Sequence, residues 1–321
     1  DALAHNISVL KERAGGASVM LPVKADAYGH GQIEVARRSV REGVEMLAVA
    51  NAQELMRLRE AGIDHPTLVL EDLFAEELPH VVVDRGARFN VSSLGYAREL
   101  SHAAERARAA VAIHVNVDTG MGRMGLFAAD PVVEVKEIAA LPHLVIEGVF
   151  SHFPSADEED VTFARKQLAT YQGVLGRLAK EGIRPRYRHI ANSAGIMAFG
   201  SEGAFDLIRP GVSAYGMFPS GEMARKMRDS VGLRPCLRLV SSVIKVTEYD
   251  RPWTVGYGRS YPVGAGSRIA VVPIGYGDGY RRALSNTGVA VLHGHRVSVC
   301  GRVSMDMITL DVTYLPELPA V

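Results

Sequence analysis

Val19-Met20-Leu21-Pro22-Val23-Lys24-Ala25-Asp26-Ala27-Tyr28-Gly29-His30-Gly31 opens on five apolar residues and stops at a charge. An apolar run of that length, followed by a polar segment with glycines, reads as a buried strand leaving the core. Lys24 stands where the strand ends, and a partly desolvated lysine there can serve as a nucleophile or base. Most lysines after strands are plain surface residues, so position alone does not decide its role. The pattern recurs at Met46–Val49, Thr67–Leu70, Val81–Val83, Ala112–Val117, Leu144–Val149, Tyr187–Ile190 and Asp206–Ile208. Helical patterns fall between several of these runs, at Gln32–Arg41, Ala52–Ala61, Leu94–Arg108, Pro131–Ala140 and Glu159–Lys180. Strand and helix alternating about eight times predict an α/β chain folded as a (β/α)8 TIM-like barrel. A doubly wound sheet is the rival, but no Gly-x-Gly-x-x-Gly turn follows the first strand.

The character changes after residues 221–232. Glu222–Met227 reads as a polar connection. From Leu237 the runs are short and β-branched: Leu239–Val246, Arg268–Pro273, Val289–Leu292 and Arg296–Cys300. Residues 264–266 and 293–295 read as turns between them. The expected organisation is a barrel over residues 1–221 and a mostly β domain over 233–321.

Composition narrows the partners. Lys+Arg and Asp+Glu both number 36, so no net field draws the chain to nucleic acid or an anionic membrane. Cys236 and Cys300 are too few for a disulfide framework and form no Cys-x-x-Cys pair, which points to a reducing, cytoplasmic setting. No apolar run is long enough to cross a bilayer. The chain opens at Asp1 rather than Met and reads as a piece of a longer protein, in which a leader or an opening strand could precede it.

Barrel enzymes carry their chemistry at the C-terminal ends of the strands. Lys24, Arg123, His152, Asn192, Ser193 and Arg209 all follow predicted strands. Asn192-Ser193-Ala194-Gly195 and Arg209-Pro210-Gly211-Val212 would offer backbone N–H groups to a phosphate. A lysine, a phosphate cradle and an arginine at one mouth are what an enzyme using pyridoxal 5'-phosphate (PLP) requires. Each residue also has a plainer reading. His152 suits a core histidine, Arg123 and Arg209 suit ion pairs, Asn192-Ser193 suits a helix cap, and Tyr257 suits a turn. His293 and His295 lack further ligands for a metal. Gly275–Gly279 is too short for a nucleotide loop, and Asp278 has no evident task.

The motifs in order are Val23–Gly31, Asp118-Thr119-Gly120-Met121-Gly122-Arg123, Ser151-His152-Phe153, Asn192-Ser193-Ala194, Ile208-Arg209-Pro210-Gly211, Val255-Gly256-Tyr257-Gly258, Gly275–Gly279 and Ser304-Met305-Asp306. This series resembles the alanine racemases, fold-type III PLP enzymes, over nearly the whole chain. The resemblance implies that Lys24 is the Schiff-base lysine and the base on the D face of the substrate. Tyr257 of a partner chain would be the base on the L face. A tyrosine hydroxyl is a poor base at neutral pH unless cations favour the phenolate. His152 and Arg209 match the pair that lies behind it. Arg209 would also face the pyridine nitrogen and, always protonated, leave it without a proton.

By the same resemblance, Tyr28, Asn192, Ser193, Gly211 and Val212 belong to the cofactor site. Arg123 and the Met305 N–H bind the substrate carboxylate, with Asp306 beside them, and Tyr276 lines the entrance. The implied assembly is a head-to-tail homodimer with shared sites, and the implied product is D-alanine for peptidoglycan. One departure concerns Asn116, where many members carry a lysine modified to a carbamate. Asparagine cannot carry that group, so Arg123 lacks an anionic neighbour unless a bound anion such as chloride replaces it. The family also extends further at both ends, and its tail supplies a phosphate-site tyrosine not assignable here. Alternative readings are a serine or broad-specificity racemase, a PLP-carrying homeostasis barrel, and a decarboxylase of basic amino acids.

Overall fold

The computed structural model describes residues 1–317 and divides into two compact units, Asp1–Leu237 and Arg238 onward. In the first unit eight parallel strands form one sheet: β1 (Ser18–Pro22), β2 (Met46–Val49), β3 (Thr67–Val69), β4 (Ala87–Val91), β5 (Val111–Asn116), β6 (Leu144–Phe150), β7 (Tyr187–His189) and β8 (Leu207–Ile208). They run in order β7-β6-β5-β4-β3-β2-β1-β8. The ring closes through Arg209 N–H to Ala191 C=O (2.9 Å) and Asp206 N–H to Arg188 C=O (3.1 Å). Asp206 is also paired with the Arg188 guanidinium across the same seam at 2.6 Å. The predicted barrel is therefore present.

Alternation along the strands sorts the core. Val19, Leu21, Leu47, Val49, Val69, Phe89, Ile113, Val115 and Val149 are buried in the large apolar cluster that also takes the helices' inner faces. The opposite faces of the strands supply a smaller cluster, Met20, Met46, Ala48, Leu68, Tyr187 and Leu207. Buried Asn90, His114 and His189 share the strand interior with it. Inward-pointing layers of this kind fill a barrel rather than leave a pore.

Polar residues among the strands account for one misplaced element. Val81–Val83 is not a strand. Val81 ends a short helix, Leu78–Val81, and the fourth strand is β4. Arg88 and Asn90 interrupt its apolar pattern, because Arg88 is committed to Glu147 (2.9 Å) and Asn90 to Asp72 (2.6 Å). Residues Gly221–Val231 form a helix rather than a polar connection. Ser220 caps it, accepting from Met223 N–H at 3.2 Å, and Met223 and Val231 supply its buried edge. Ala2–Arg13 is a further helix, held by Asn6, which donates to Ala214 C=O and accepts from Arg234 N–H.

The second unit is mostly β, as predicted. Its five-stranded antiparallel sheet comprises β9 (Lys245–Glu248), β12 (Arg268–Val272), β13 (Val289–Leu292), β14 (His295–Val299) and β15 (Ile308–Asp311), with β10 (Trp253–Val255) and β11 (Tyr261–Val263) forming a separate hairpin. The strand expected over Leu239–Val246 is confined to β9. Leu239 and Val240 are exposed and lie outside any strand, so apolar character there does not report pairing. Trp253 is also exposed, with the Arg251 guanidinium 5.7 Å from its ring centre.

Candidate active site

At the C-terminal mouth of the barrel a cavity of about 410 Å³ is lined by Lys24, Tyr28, Asn116, Arg123, His152, Asn192, Ser193, Arg209, Gly211 and Val212, among others. That size suits a small cofactor with its substrate. Nine of the residues picked from sequence thus meet at one place. The other four, Tyr257, Tyr276, Met305 and Asp306, belong to the second unit and are exposed there.

The segment after Lys24 is not an open loop. Ala25, Asp26, Ala27 and Tyr28 all have φ between +50° and +57°, a full left-handed turn of L-residues. Each such residue costs about 1–2 kcal/mol. Neighbours hold the turn in place. Glu54 accepts from Ala25 N–H (2.7 Å) with one oxygen and from Ala50 N–H (2.8 Å) with the other. Asp26 accepts from Gln32 N–H at 2.8 Å. Tyr215 donates to Pro22 C=O at 2.8 Å, fixing the end of β1 next to Lys24.

A group of unpartnered donors faces this turn. Asn192 caps the helix Ser193–Phe199, accepting from Gly195 N–H at 3.0 Å. Gly195 must be glycine, since a Cβ would come within 2.7 Å of the Phe153 ring. Ser193 Oγ accepts from Ser213 N–H (3.1 Å), which leaves its own proton to donate. Among the described residues the amides of Ser193, Ala194, Gly211 and Val212 find no acceptor. A Cβ on Gly211 would sit 2.7 Å from Tyr28 Oη, so the glycine keeps the cradle open beside that hydroxyl. Free amides, two hydroxyl donors and a missing Cβ fit a phosphate monoester.

Arg209 is 5% exposed and nearly spent on protein acceptors. One terminal nitrogen donates to His189 Nδ1 (2.5 Å), the other to Ser151 C=O (2.6 Å) and to His152 Nδ1 (3.2 Å). Its Nε–H has no acceptor among the described residues and is the donor left for a ligand ring. Burial, and then Arg123, lower the Arg209 guanidinium to about 10, still protonated at neutral pH. His152 is pushed down to about 3, by burial first and then by Arg209, Arg123 and Lys24. It is neutral at working pH. Arg209 and the Asn192 amide nitrogen can only donate, so donors face both ring nitrogens of His152, Nδ1 at 3.2 Å and Nε2 at 3.3 Å. The Asn192 amide, bonded to Phe153 C=O at 2.9 Å, lies 3.3 Å from that Nε2.

Arg123 is presented by a loop built on Asp118. That carboxylate accepts from the N–H groups of Gly120 (2.7 Å), Met121 (2.8 Å) and Gly122 (2.8 Å). The loop then returns to the end of β5, with Leu126 N–H on Asn116 C=O at 2.8 Å. Among the described residues Arg123 has no carboxylate within ion-pair distance, in keeping with the neutral Asn116 nearby.

In the second unit Gly256-Tyr257-Gly258 packs on Gly301-Arg302, where a Cβ on Gly256 would be 2.9 Å from Arg302 N. Tyr276 N–H donates to Ser304 C=O (3.0 Å) and Gly277 N–H to Met305 C=O (2.8 Å), which brings Tyr276 and Met305 together. Asp278, without a role in the sequence reading, accepts from Gly275 N–H (2.9 Å) and closes this turn. Asp26, Glu54, Ser151 and His189 were also missed. Of the missed contacts, only the Asp118 loop had a local signal, the Asp-x-Gly pattern of an Asx turn.

Comparison with known proteins matches this architecture on both units. The family model described as "Alanine racemase, N-terminal domain" covers residues 1–219, and "Alanine racemase, C-terminal domain" covers residues 236–320. The chain belongs to the alanine racemase family. An alanine racemase of Carboxydothermus hydrogenoformans is 39% identical over 317 residues, 97% of this chain and 83% of that protein. One from Syntrophobacter fumaroxidans is 40% identical, covering 98% and 83%. The structure of alanine racemase from Clostridium difficile 630 superposes with a TM-score of 0.89 at 30% identity, over 99% of this chain and 82% of that one. Alanine racemases act with pyridoxal phosphate, and this chain is an isomerase of that family. The homeostasis-barrel reading is overturned by the match over the second unit, and the decarboxylase reading by both matches.

Proposed function

We propose that this chain interconverts L- and D-alanine with two bases on opposite faces of the α-carbon, Lys24 from one barrel and Tyr257 from a second copy of the chain. The observation that carries the reading is the convergence of Lys24, a phosphate cradle, Arg209 and Arg123 on one cavity. Pyridoxal 5'-phosphate, when bound, delocalises the negative charge left at the α-carbon once its proton is removed. Lys24 holds the cofactor and moves a proton at the D face. Tyr28, Ser193, Gly211 and Val212 bind the phosphate, with Asn192 ordering the helix start beneath it. Arg209 would donate Nε–H to the ring nitrogen and, holding its own protons far more tightly than a pyridinium does, leave that nitrogen unprotonated.

Arg123 and the Met305 N–H orient the substrate carboxylate, Asp306 flanks that contact, and Tyr276 narrows the approach. Neutral His152, held by Arg209, lines the pocket behind the tyrosine oxygen and helps to place it. In this reading Tyr257, Tyr276 and Met305 serve the site of a partner chain, so the working assembly is a homodimer, resident in the cytoplasm and feeding D-alanine to peptidoglycan. Relatives favour alanine over serine or a broad range.

The test incubates holoenzyme with L-alanine and separately with L-serine, following D-isomers by chiral chromatography. Preferential D-alanine formation, lost in both Lys24→Ala and Tyr257→Ala, is expected. Full L-to-D turnover in Tyr257→Ala would sink the two-base reading, and equal rates on serine would sink the substrate assignment. Mixing inactive Lys24→Ala with inactive Tyr257→Ala should restore partial activity, because mixed dimers hold one intact site. No restoration after subunit exchange would count against sites shared between copies.

A further inference from the structure

Behind Arg209 a line of polar side chains runs away from the pocket among the barrel strands. Arg209 donates to His189 Nδ1 at 2.5 Å, His189 Nε2 lies 2.8 Å from His114 Nδ1, and His114 Nε2 lies 3.5 Å from Glu147 Oε2. Arg88 closes the far end, with Nε 2.9 Å from the same Glu147 oxygen. His114 and His189 are fully buried, and no water-exposed group interrupts the line. Nothing in the chemistry at the mouth requires His114, Glu147 or Arg88.

We propose that Glu147 is a positioning residue for Arg209, acting through His114 and His189 to fix both imidazoles as Nε2–H tautomers and hold the guanidinium in one orientation. This rests on the reading of Arg209 as the arginine that faces the cofactor ring. The direction of every bond follows from the two ends. A guanidinium only donates, so His189 Nδ1 accepts and its single proton sits on Nε2. That proton makes His114 Nδ1 the next acceptor and puts the His114 proton on Nε2. A carboxylate only accepts, so Glu147 terminates the line. Each neutral ring is then satisfied at both nitrogens, and protonating either would set two donors face to face.

The strands are shaped for this line. Pairing between β5 and β6 slips so that Ile113 faces Ile146 and His114 faces Gly148, leaving Glu147 as the extra residue of a bulge. Bulges re-aim a side chain. Gly148 supplies the space, since a Cβ there would come within 2.4 Å of His114 Nδ1. Phe150 stacks on His189 with a 3° angle between ring planes and lies 5.2 Å from the Arg209 carbon. Burial works against ionising Glu147, but the hydrogen bonds from His114 and Arg88 outweigh it and lower its carboxyl to about 2. Burial also lowers both histidines from the ordinary imidazole value, His189 well below it. A plain buried ion pair of Arg88 and Glu147 would need neither the bulge nor the glycine.

The experiment records histidine 15N–1H correlation spectra of 15N-labelled holoenzyme at neutral pH, with single His→Gln variants for assignment. Both His114 and His189 are expected as Nε2–H tautomers. Glu147→Leu should turn His114 into a tautomer mixture and lower kcat for alanine about tenfold with little change in KM, as loss of an outer partner does elsewhere. Glu147→Gln, which keeps an acceptor oxygen, should restore most of both. A proton on Nδ1 of either ring in the parent enzyme overturns the relay, whether or not Glu147→Leu folds. Unchanged tautomers in a folded Glu147→Leu enzyme overturn it too. Tautomers as assigned, with kcat indifferent to Arg209→Lys, overturn the reading of Arg209 instead.

Discussion

Asp118 shows how one side chain can set the placement of another, Arg123, that it never touches. Its carboxylate gathers three consecutive amides, and Arg123 is the next residue. Asp118→Ala should release that loop and raise KM for alanine about tenfold, with kcat less affected, because charge-assisted bonds to backbone N–H are among the stronger ones. Steady-state kinetics decide it, and an unchanged KM would show that Arg123 is placed otherwise. Gly211 works by omission. Gly211→Ala would drive a methyl to 2.7 Å from Tyr28 Oη, and cofactor affinity should fall about tenfold at a cost near 1–3 kcal/mol for overpacking. A fluorescence titration with the cofactor reads this directly. Lys24, Arg123, His152 and Arg209 were legible because each follows a strand in a motif of its own. His189 and Glu54 were not, because a histidine within a strand and a glutamate on a helix look ordinary until their partners are known.

The turn after β1 is the element where sequence rules fail most plainly. Four L-residues in the left-handed region contradict local preference, and Ala25 and Ala27 carry no side chain able to compensate. The compensation comes from elsewhere in the chain, chiefly from Glu54, whose two oxygens tie this turn to the end of β2. Glu54→Ala should therefore destabilise the protein by about 1–3 kcal/mol, the worth of hydrogen bonds to a charged acceptor, and weaken cofactor retention in parallel. Glu54→Gln keeps one acceptor and should lie between. Thermal melts and cofactor content check both, and a fall in melting temperature with full retention would separate the turn from the site. Helix patterns were read well at Gln32–Arg41 and Leu94–Ala107, where apolar residues recur at helical spacing. Strand β4 was missed because its polar residues answer to Glu147 and Asp72, two contacts that no local pattern contains.

Three histidines of the barrel, His114, His152 and His189, are lowered by burial from an ordinary value of 6.5. A histidine whose folded value lies below its unfolded value costs nothing above about pH 6.5 and opposes folding progressively below it. For His152 the loss continues down to about 3. Glu147, lowered to about 2, adds a loss of its own below the ordinary glutamate range. Both signs agree, so melting temperature should fall steadily as pH drops from about 7 toward 5 on the histidines alone. Calorimetry across that range checks it, and a flat profile would contradict the burial of neutral rings.

The two-unit plan was legible from the switch between long helical spacing and short β-branched runs. The helix Gly221–Val231 was not, because it buries only its edge residues. Trp253 has a practical consequence for such measurements. It is the chain's single tryptophan, and it lies in the second unit. Emission excited at the red edge therefore follows the C-terminal unit alone, while visible absorbance of the cofactor follows the barrel. One denaturant titration with both detectors shows whether the two units unfold together or apart, without any added label.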